Sequence, residues 1–302
     1  MSIDKSRPGP AKAWIMAARP RTLPASASGV IVGSALAFKD GRFDLLPALA
    51  ALVVALALQV ASNFANDVFD FERGADEKRS HGPTRVTQAG LLSPSQVKAG
   101  LALVIGVAAL AGLWLAWHSG WWLLLVGLAA IVSAVAYTAG PWPLAYLGLG
   151  DLFVFVFFGL AAVTGTYYVQ AGSLGPAPFL LSLPPGLIIV AILVVNNLRD
   201  IEEDRVAGKR TLAVRFGAPF ARYEYLACLV LAYASLGPAL GFGLVPPWTL
   251  LTLLSLPLVW KNSRLVMEEE GRVLNAALGG TGMIALVWSL LFAAGILISK
   301  LI

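Results

Sequence analysis

The stretch "NNLRDIEEDRVAGKRTLAVRFG", residues 196–217, sets four carboxylates and five basic residues (Arg199 to Arg215) directly after the apolar run "PPGLIIVAILVV". In a helix, residues three or four apart share a face. Asp200 and Asp204 are four apart, and Asn197 stands three before Asp200. A second stretch, "NDVFDFERG" at 66–74, has the same character. There Asp67 and Asp70 are three apart, and Asn63 and Asn66 extend the polar face one turn back, as Asn196 and Asn197 do in the other. Each segment presents a short ladder of oxygen ligands, and nine of the 17 Asp and Glu residues fall in the two windows 67–77 and 200–204. Carboxylates brought together repel, so converging ladders imply a cation between them. Ligands that are all oxygen select a hard ion, Mg2+ before Mn2+ or Ca2+. Mg2+ typically takes one or two carboxylates, several waters and the oxygens of a substrate phosphate. Arg73, Lys78, Arg85, Lys209 and Arg210 lie in the same two loops. They suit the rest of a diphosphate clamp, chemistry that depends on electrostatic stabilisation.

The elements that must position these ladders are apolar helices. The 302-residue chain is 58% hydrophobic and 13% charged, with a mean hydropathy of +0.77; a soluble domain carries about 25% charged residues. Nine segments approach the ~20 residues a helix needs to span hydrocarbon: 22–38, 45–65, 98–117, 120–138, 150–169, 178–197, 221–240, 243–260 and 276–299. With the N-terminus inside, nine helices put 19 of the 22 basic residues on one side, leaving Lys39, Arg42 and Lys300 on the other. That is the positive-inside pattern. It predicts an integral protein of the cell (inner) membrane with its N-terminus and both acidic segments cytoplasmic. The bases are thereby explained as loop charges, and no nucleic-acid partner is expected; the acids are not explained by that rule. The first residues lack a compact signal-peptide core and cleavage site, so the first helix is expected to be retained. One cysteine, Cys228, excludes an internal disulfide and a cysteine-rich metal site. His81 and His118 are expected as polar loop residues.

The chain also repeats itself. "NDVFDFERG" set above "NNLRDIEED" without gaps places Asn66 on Asn196, Asp70 on Asp200, Glu72 on Glu202 and Asp67 on Asn197, at an offset of 130 residues. Four helices separate the copies, so both return to the same membrane face, as a parallel duplication requires. The expected fold is therefore an all-α integral membrane protein: two four-helix pseudo-repeats plus one helix around a central cavity. We read residues 1–302 as a single transmembrane domain, with an N-terminal cytoplasmic segment at 1–18 and cytoplasmic acidic-motif loops at 66–97 and 197–220.

A diphosphate site against a membrane makes sense when the diphosphate carries a long hydrocarbon. Burying each methylene is worth about 0.8 kcal/mol, so a polyprenyl tail would be held by a greasy groove. Ionisation of such a diphosphate leaves an allylic cation, which aromatic faces stabilise. Phe69, Tyr137, Phe153, Phe155, Phe157, Phe158, Tyr167 and Tyr168 are candidates, and Tyr137 stands out because it ends a helix on the acidic side. A secondary transporter is the rival of a different class, but transporters place their binding groups near the bilayer midplane on interrupted helices. Here the acids keep to one rim, and only "LPPG" at 183–186 and "VPPW" at 245–248 offer interruptions.

"NDVFD" after the second helix and "DIEED" after the sixth resemble the paired aspartate-rich motifs of the UbiA superfamily of intramembrane prenyltransferases, over about residues 14–300. Four further stretches, "ARPRTLPAS", "GPTRVTQAG", "YTAGPWPLAYLGLGD" and the opening segment with its "GKRTL" continuation, are similar to the branch that acts on 1,4-dihydroxy-2-naphthoate. The resemblance implies Mg2+-dependent transfer of a polyprenyl group from its diphosphate to an aromatic acceptor, with loss of CO2 and diphosphate. It implies that Asn66, Asp67 and Asp70 hold one Mg2+, and that Asp200 and Asp204, with Asn197 accessory, hold another. Arg19, Arg85 and Lys209 would contact diphosphate, and Tyr137 would lie near the allylic carbon. Gly74 stands where the first motif's last Asp is expected, with Asp76 two residues later. Asp76, Asn63, Asp151 and Tyr168 are the remaining candidates for the acceptor or prenyl pocket; a helix N-cap explains Asp151 equally well. Other aromatic acceptors, such as 4-hydroxybenzoate or homogentisate, and a phytyl donor stay open, and no oligomeric state follows from the residues.

Overall fold

The computed structural model describes residues 8–74, 81–140 and 143–302, so Asp76 and Lys78 lie outside the described residues. Those described form helices and turns without a strand. Helix α1 (Pro10–Ala18) opens on a proline at its first turn and ends at Arg19, whose left-handed backbone (φ 51) makes it the one non-glycine residue with positive φ among those described. A 3-10 turn leads into α2 (Leu23–Lys39). Helix α3 (Leu45–Glu72) starts at Asp44, whose side chain accepts from the Leu46 amide. Helix α4 (Pro94–Ser119) begins in a Ser93–Gln96 capping box, and α5 (Leu123–Ala136) follows a short turn. Helix α6 (Gly150–Ala171) contains a π-helical stretch at Phe155–Ala161. Helix α7 (Pro176–Arg199) hands over at Asp200 to the short α8 (Ile201–Val206). Helix α9 (Leu212–Gly241), a 3-10 stretch at Pro247–Ser255, α10 (Leu256–Glu268) and α11 (Gly271–Leu301) complete the chain.

Six of these helices, α3, α4, α6, α7, α9 and α11, are long and apolar enough to cross a membrane; α5 is apolar but shorter. The outward faces are greasy, with Leu103, Leu110, Trp117 and Leu125 each about 70% exposed. Such a belt would be a liability in water and is expected against lipid. The protein is an integral membrane protein. Pro184 and Pro185 occupy the first turn of the Leu183–Arg199 stretch, where a missing N–H costs nothing, and Pro247 likewise opens the 3-10 stretch.

Two apolar cores hold the bundle. One joins α2, α7, α9 and α11 through Leu36, Ile188, Tyr225, Trp288 and Phe292; the other joins α1, α3 and α4 through Ala61, Phe64, Val68 and Leu101. Helix α7 is the most interior span. It meets α6 where Gly159 faces Gly186: a Cβ added at Gly159 would come within 2.6 Å of the Gly186 Cα. Small residues at such a crossing let two backbones touch in a membrane.

The acidic segments differ from the sequence expectation in one respect. The stretch from Asn66 to Glu72 is the last two turns of α3 and not a loop. Nothing in it breaks a helix until Gly74, which takes a left-handed φ of 71. The helix therefore carries Asn63, Asn66 and Asp70 down one face, continuous with its apolar part.

Candidate functional site

A cavity of about 360 Å³ lies between α2, α3, α5, α6 and α7. Its membrane-embedded part is lined by apolar side chains, among them Val54, Leu58, Val126, Phe157, Phe158 and Ala162. At the other end the wall is polar. Asn66 and Asp70 enter it from the end of α3; Asn196, Asn197 and Asp200 from the end of α7; Asp204 from α8; and Arg19, Arg85 and Lys209 from the turns between. The two ladders do converge on one space. At the aligned positions of the repeat, Asn66 with Asn196 and Asp70 with Asp200, all four residues face it.

Lys209 joins the two halves. Its ammonium lies 3.7 Å from Asp70 and 3.3 Å from Asp204. The backbone turns here at Gly208 (φ 76), and the Lys209 N–H donates to the Asp204 carbonyl. Burial works against the ammonium, but Asp70 and Asp204 outweigh it and hold the lysine pKa above its usual value. Asp70 is buried: one oxygen accepts from Arg85 at 3.1 Å, while the other, Oδ1, has no hydrogen-bond partner. Asp200 is gripped by its own neighbour, with the buried Arg199 donating to both carboxylate oxygens at 2.6 Å. The same guanidinium donates to Asn196 Oδ1 and, across the bundle, to Asn275 Oδ1 at the start of α11, each at 2.8 Å. Asn275 in turn donates to the carbonyl of His81, whose own N–H and ring nitrogen meet Glu203. His81 thus links the loop after the first acidic segment to the second.

Asp67 behaves differently. It is absent from the cavity wall, and its oxygens accept from the backbone amides of Val86 and Thr87 at 3.0 Å and from the Thr87 hydroxyl. This carboxylate folds the "GPTRVT" loop onto α3, which carries Arg85 to Asp70. Asn66 accepts from Thr138 at 3.1 Å. Asn63 donates to the Ala18 carbonyl and to Thr22, tying α3 to the junction that holds Arg19. Tyr137 caps α5 and lines the cavity; its hydroxyl occupies the space a side chain on Gly150 would need. Phe153, Phe157 and Phe158 line it too.

Several expected residues stand elsewhere. Arg73 is outside the cavity wall, donates to the Gly140 carbonyl and lies over the Tyr146 ring, which Lys209 also approaches. Arg210, next to Lys209, is exposed because the turn alternates their directions. Asp151 starts α6 beside the cavity but does not line it, and its Oδ1 is buried without a hydrogen-bond partner. Tyr168 lies at the opposite end of α6, where its hydroxyl accepts from Trp122. Seventeen residues of helix at ~1.5 Å each separate it from Asp151, and it is absent from the cavity wall. Phe69 lies under Lys98, and Tyr167 donates to Asp40; neither lines the cavity. No group of three His, Cys, Asp or Glu side chains forms a ready-made metal cage among the described residues. Sequence reasoning missed Arg199 and Asn275; the only local hint was a basic residue wedged between Asn197 and Asp200.

The chain matches the model of the UbiA prenyltransferase family over residues 26–290. It is similar to a 1,4-dihydroxy-2-naphthoate octaprenyltransferase of Escherichia coli strain K12, with 42% identity over 299 residues covering 96% of each chain. A protein of the same name from Mycobacterium tuberculosis is 38% identical over 95% of this chain and 98% of that one. Among solved structures, a UbiA homolog from Aeropyrum pernix K1 shares the fold with a TM-score of 0.70 at 20% identity, over 92% of this chain and 98% of that one. A UbiA homolog from Archaeoglobus fulgidus bound to GPP and Mg2+ matches with a TM-score of 0.65 at 15% identity, over 94% and 99%.

Proposed function

The chain belongs to the UbiA prenyltransferase family, and from that premise we propose that it transfers a polyprenyl group from its diphosphate to 1,4-dihydroxy-2-naphthoate. The products are demethylmenaquinol (the hydroquinone, which air oxidises to demethylmenaquinone), CO2 and diphosphate. The observation that carries the chemistry is Lys209 between Asp70 and Asp204, at the polar head of a cavity whose body is apolar. The acceptor follows from the naphthoate named for the E. coli and M. tuberculosis relatives. In this reading nine segments cross the cell membrane, the six long helices together with α2, α5 and the Pro247–Glu268 stretch, with the N-terminus and the acids cytoplasmic.

The donor set fits Mg2+. Asn66, Asp70, Asn197, Asp200 and Asp204 offer only oxygen atoms, and Asp70 Oδ1 is buried without a hydrogen-bond partner. Mg2+ takes one or two carboxylates and completes its shell from water and substrate phosphate. When bound there with the diphosphate, Mg2+ would neutralise the negative charge that grows on the leaving group. Asp67 is the exception in the expected ligand set, since it is absent from the cavity wall and its oxygens face the 86–87 turn.

In the reaction, the C–O bond between the prenyl C1 and the diphosphate breaks and its electron pair leaves with the diphosphate. Arg85, Lys209 and Arg19 border the space where that charge develops. Tyr137 and the faces of Phe153, Phe157 and Phe158 surround the allylic end and exclude water. The ring carbon that bears the carboxylate forms the new C–C bond. Loss of CO2 then returns an electron pair to the ring.

The test is prenyl transfer by purified protein in liposomes, given geranylgeranyl diphosphate and Mg2+, with 1,4-dihydroxy-2-naphthoate and 4-hydroxybenzoate in separate reactions. Prenylated, decarboxylated naphthohydroquinone, read as its quinone after oxidation in air and formed only with Mg2+, is the expected result. Product from the benzoate alone would overturn the acceptor, and no product from either would overturn the reaction.

A further inference from the structure

Gln59, Asn63, Asn66 and Asp70 are spaced i, i+4, i+7 and i+11 and form one polar stripe on α3. Its upper members belong to the diphosphate end and its lower ones do not. Gln59 sits about 10 Å deeper than Asn66 along the helix axis, where Ala51, Val54, Ala55 and Leu58 of the same helix also line the cavity. Its Oε1 accepts from the Ser26 hydroxyl of α2 at 3.0 Å, and its Nε2 reaches Asn63 Oδ1 at 3.4 Å. Ser26 is buried, and both residues line the cavity. A primary amide has two N–H donors, and the second has no partner among the described residues. An amide at this depth is costly unless something polar meets it.

Much of the remaining lining is of another kind: the side chains of Val126, Ala130, Phe157, Phe158 and Ala162 offer no hydrogen bonds. The cavity therefore has apolar lining and one amide–hydroxyl pair beneath one diphosphate head. A prenyl tail laid along the Gln59 side would strip water from the amide and return nothing. A hydroxylated aromatic ring returns both a donor and an acceptor. Between Asn66 and Gln59 such a ring would lie directly below the diphosphate, where the allylic carbon must be attacked.

We propose that Gln59, held by Ser26, selects the acceptor by hydrogen-bonding a ring hydroxyl, while the prenyl tail takes the apolar lining. The inference rests on the prenyl-transfer reading only in requiring that this cavity admits an aromatic acceptor. The reacting carbon carries the carboxylate and must lie at the diphosphate end. The hydroxyl furthest from it, on ring carbon 4, is the one that reaches Gln59.

The experiment uses full-length protein in detergent and two probes, 1,4-dihydroxy-2-naphthoate and 1-hydroxy-2-naphthoate, which lacks that hydroxyl. Binding is read by equilibrium dialysis under reducing conditions, with turnover in parallel. Gln59→Leu is expected to weaken the dihydroxy probe by about tenfold, the worth of one well-made hydrogen bond. The monohydroxy probe and the KM for prenyl diphosphate should stay as in wild type, so that the preference between probes collapses. Ser26→Ala should shift the preference the same way by a smaller factor, and it decides the matter if Gln59→Leu does not fold. Equal weakening of both probes, or a raised KM for prenyl diphosphate with acceptor binding intact, would overturn the proposal. Wild-type protein that binds the dihydroxy probe without prenylating it would sink the transfer reading, while the binding comparison would still judge Gln59.

Discussion

Lys209 places its ammonium 3.7 Å from Asp70, a carboxylate 139 residues earlier in the chain and on the other acidic segment. Both residues are largely buried, and Arg85 approaches the same oxygen of Asp70 from a third segment. Replacing Lys209 with Met keeps the bulk and removes the charge that binds the two halves and borders the leaving group. The expected loss in kcat/KM for prenyl diphosphate is about 10²–10³-fold, as for other preorganised electrostatic groups. Arg210→Met, one residue away and exposed, should leave kcat/KM near wild type. Steady-state kinetics on the two variants check the contrast.

Asp67 and Asp70 have the same charge on the same helix and opposite roles. Asp67 accepts two backbone amides and a hydroxyl from the 86–87 turn, whereas Asp70 keeps a free oxygen in the cavity. Asp67→Asn should therefore act on stability. Replacing a buried charged acceptor costs about 1.5–3 kcal/mol per bond, which a lowered melting temperature in detergent would register. Asp70→Asn should abolish turnover with a smaller loss of melting temperature, because the amide oxygen can still accept from Arg85 and the second carboxylate oxygen made no hydrogen bond. A melting loss for Asp70→Asn larger than for Asp67→Asn would reverse the assignment.

That contrast also marks what could be read in the sequence. The apolar spans, the two ladders and their common face follow from local spacing: hydropathy along the chain and the i, i+3, i+4 geometry of a helix. Which of two neighbouring acids points inward does not. Asp67 is turned away because a loop some 20 residues later folds back onto it. Lys209 and not Arg210 enters the site because Gly208 turns left-handed just before them. The apolar run ends at residue 65, yet α3 continues through Glu72, because lipid and not helix formation excludes the charges. Tyr168 is a candidate for the acceptor or prenyl pocket by residue type, and it stands at the far end of α6 outside the cavity wall. The repeat was legible at Asn66/Asn196 and Asp70/Asp200, and broke at Asp67/Asn197, where only the second faces the cavity.

Gly159 and Gly186 offer a test of the packing that shapes the cavity. With their backbones in contact, a side chain at either must push α6 from α7. Gly186→Val is expected to destabilise the protein by about 1–3 kcal/mol or more, the usual cost of overpacking, and to lower activity through the displaced Phe153 and Phe157. Gly106→Ala on α4 meets open space outside the cavity wall and should leave turnover unchanged, with melting unchanged or slightly raised by the better helix propensity of alanine.

Asn275 supplies the last prediction, and it concerns a helix that carries no acidic motif. Its Oδ1 accepts from Arg199 at 2.8 Å and its Nδ2 donates to the His81 carbonyl at 2.8 Å, so one amide orients the guanidinium that grips Asp200 and fixes the loop leading to Arg85. Arg199 does not line the cavity; it acts through Asp200. If Asp200 helps to hold Mg2+, losing the brace should weaken the metal before it affects anything else, since groups that orient ligands are typically worth about 10–100-fold in metal affinity. Asn275→Ala is then expected to raise the Mg2+ concentration for half-maximal activity by about tenfold, with kcat at saturating Mg2+ largely restored. Asn275→Gln keeps both hydrogen-bonding functions on a longer stem and should recover part of the loss. A fall in kcat that excess Mg2+ does not restore would mean that Asn275 shapes the fold and not the metal site. A Mg2+ titration of the two variants beside wild type separates these outcomes, because only a positioning role moves the metal requirement while sparing the maximal rate.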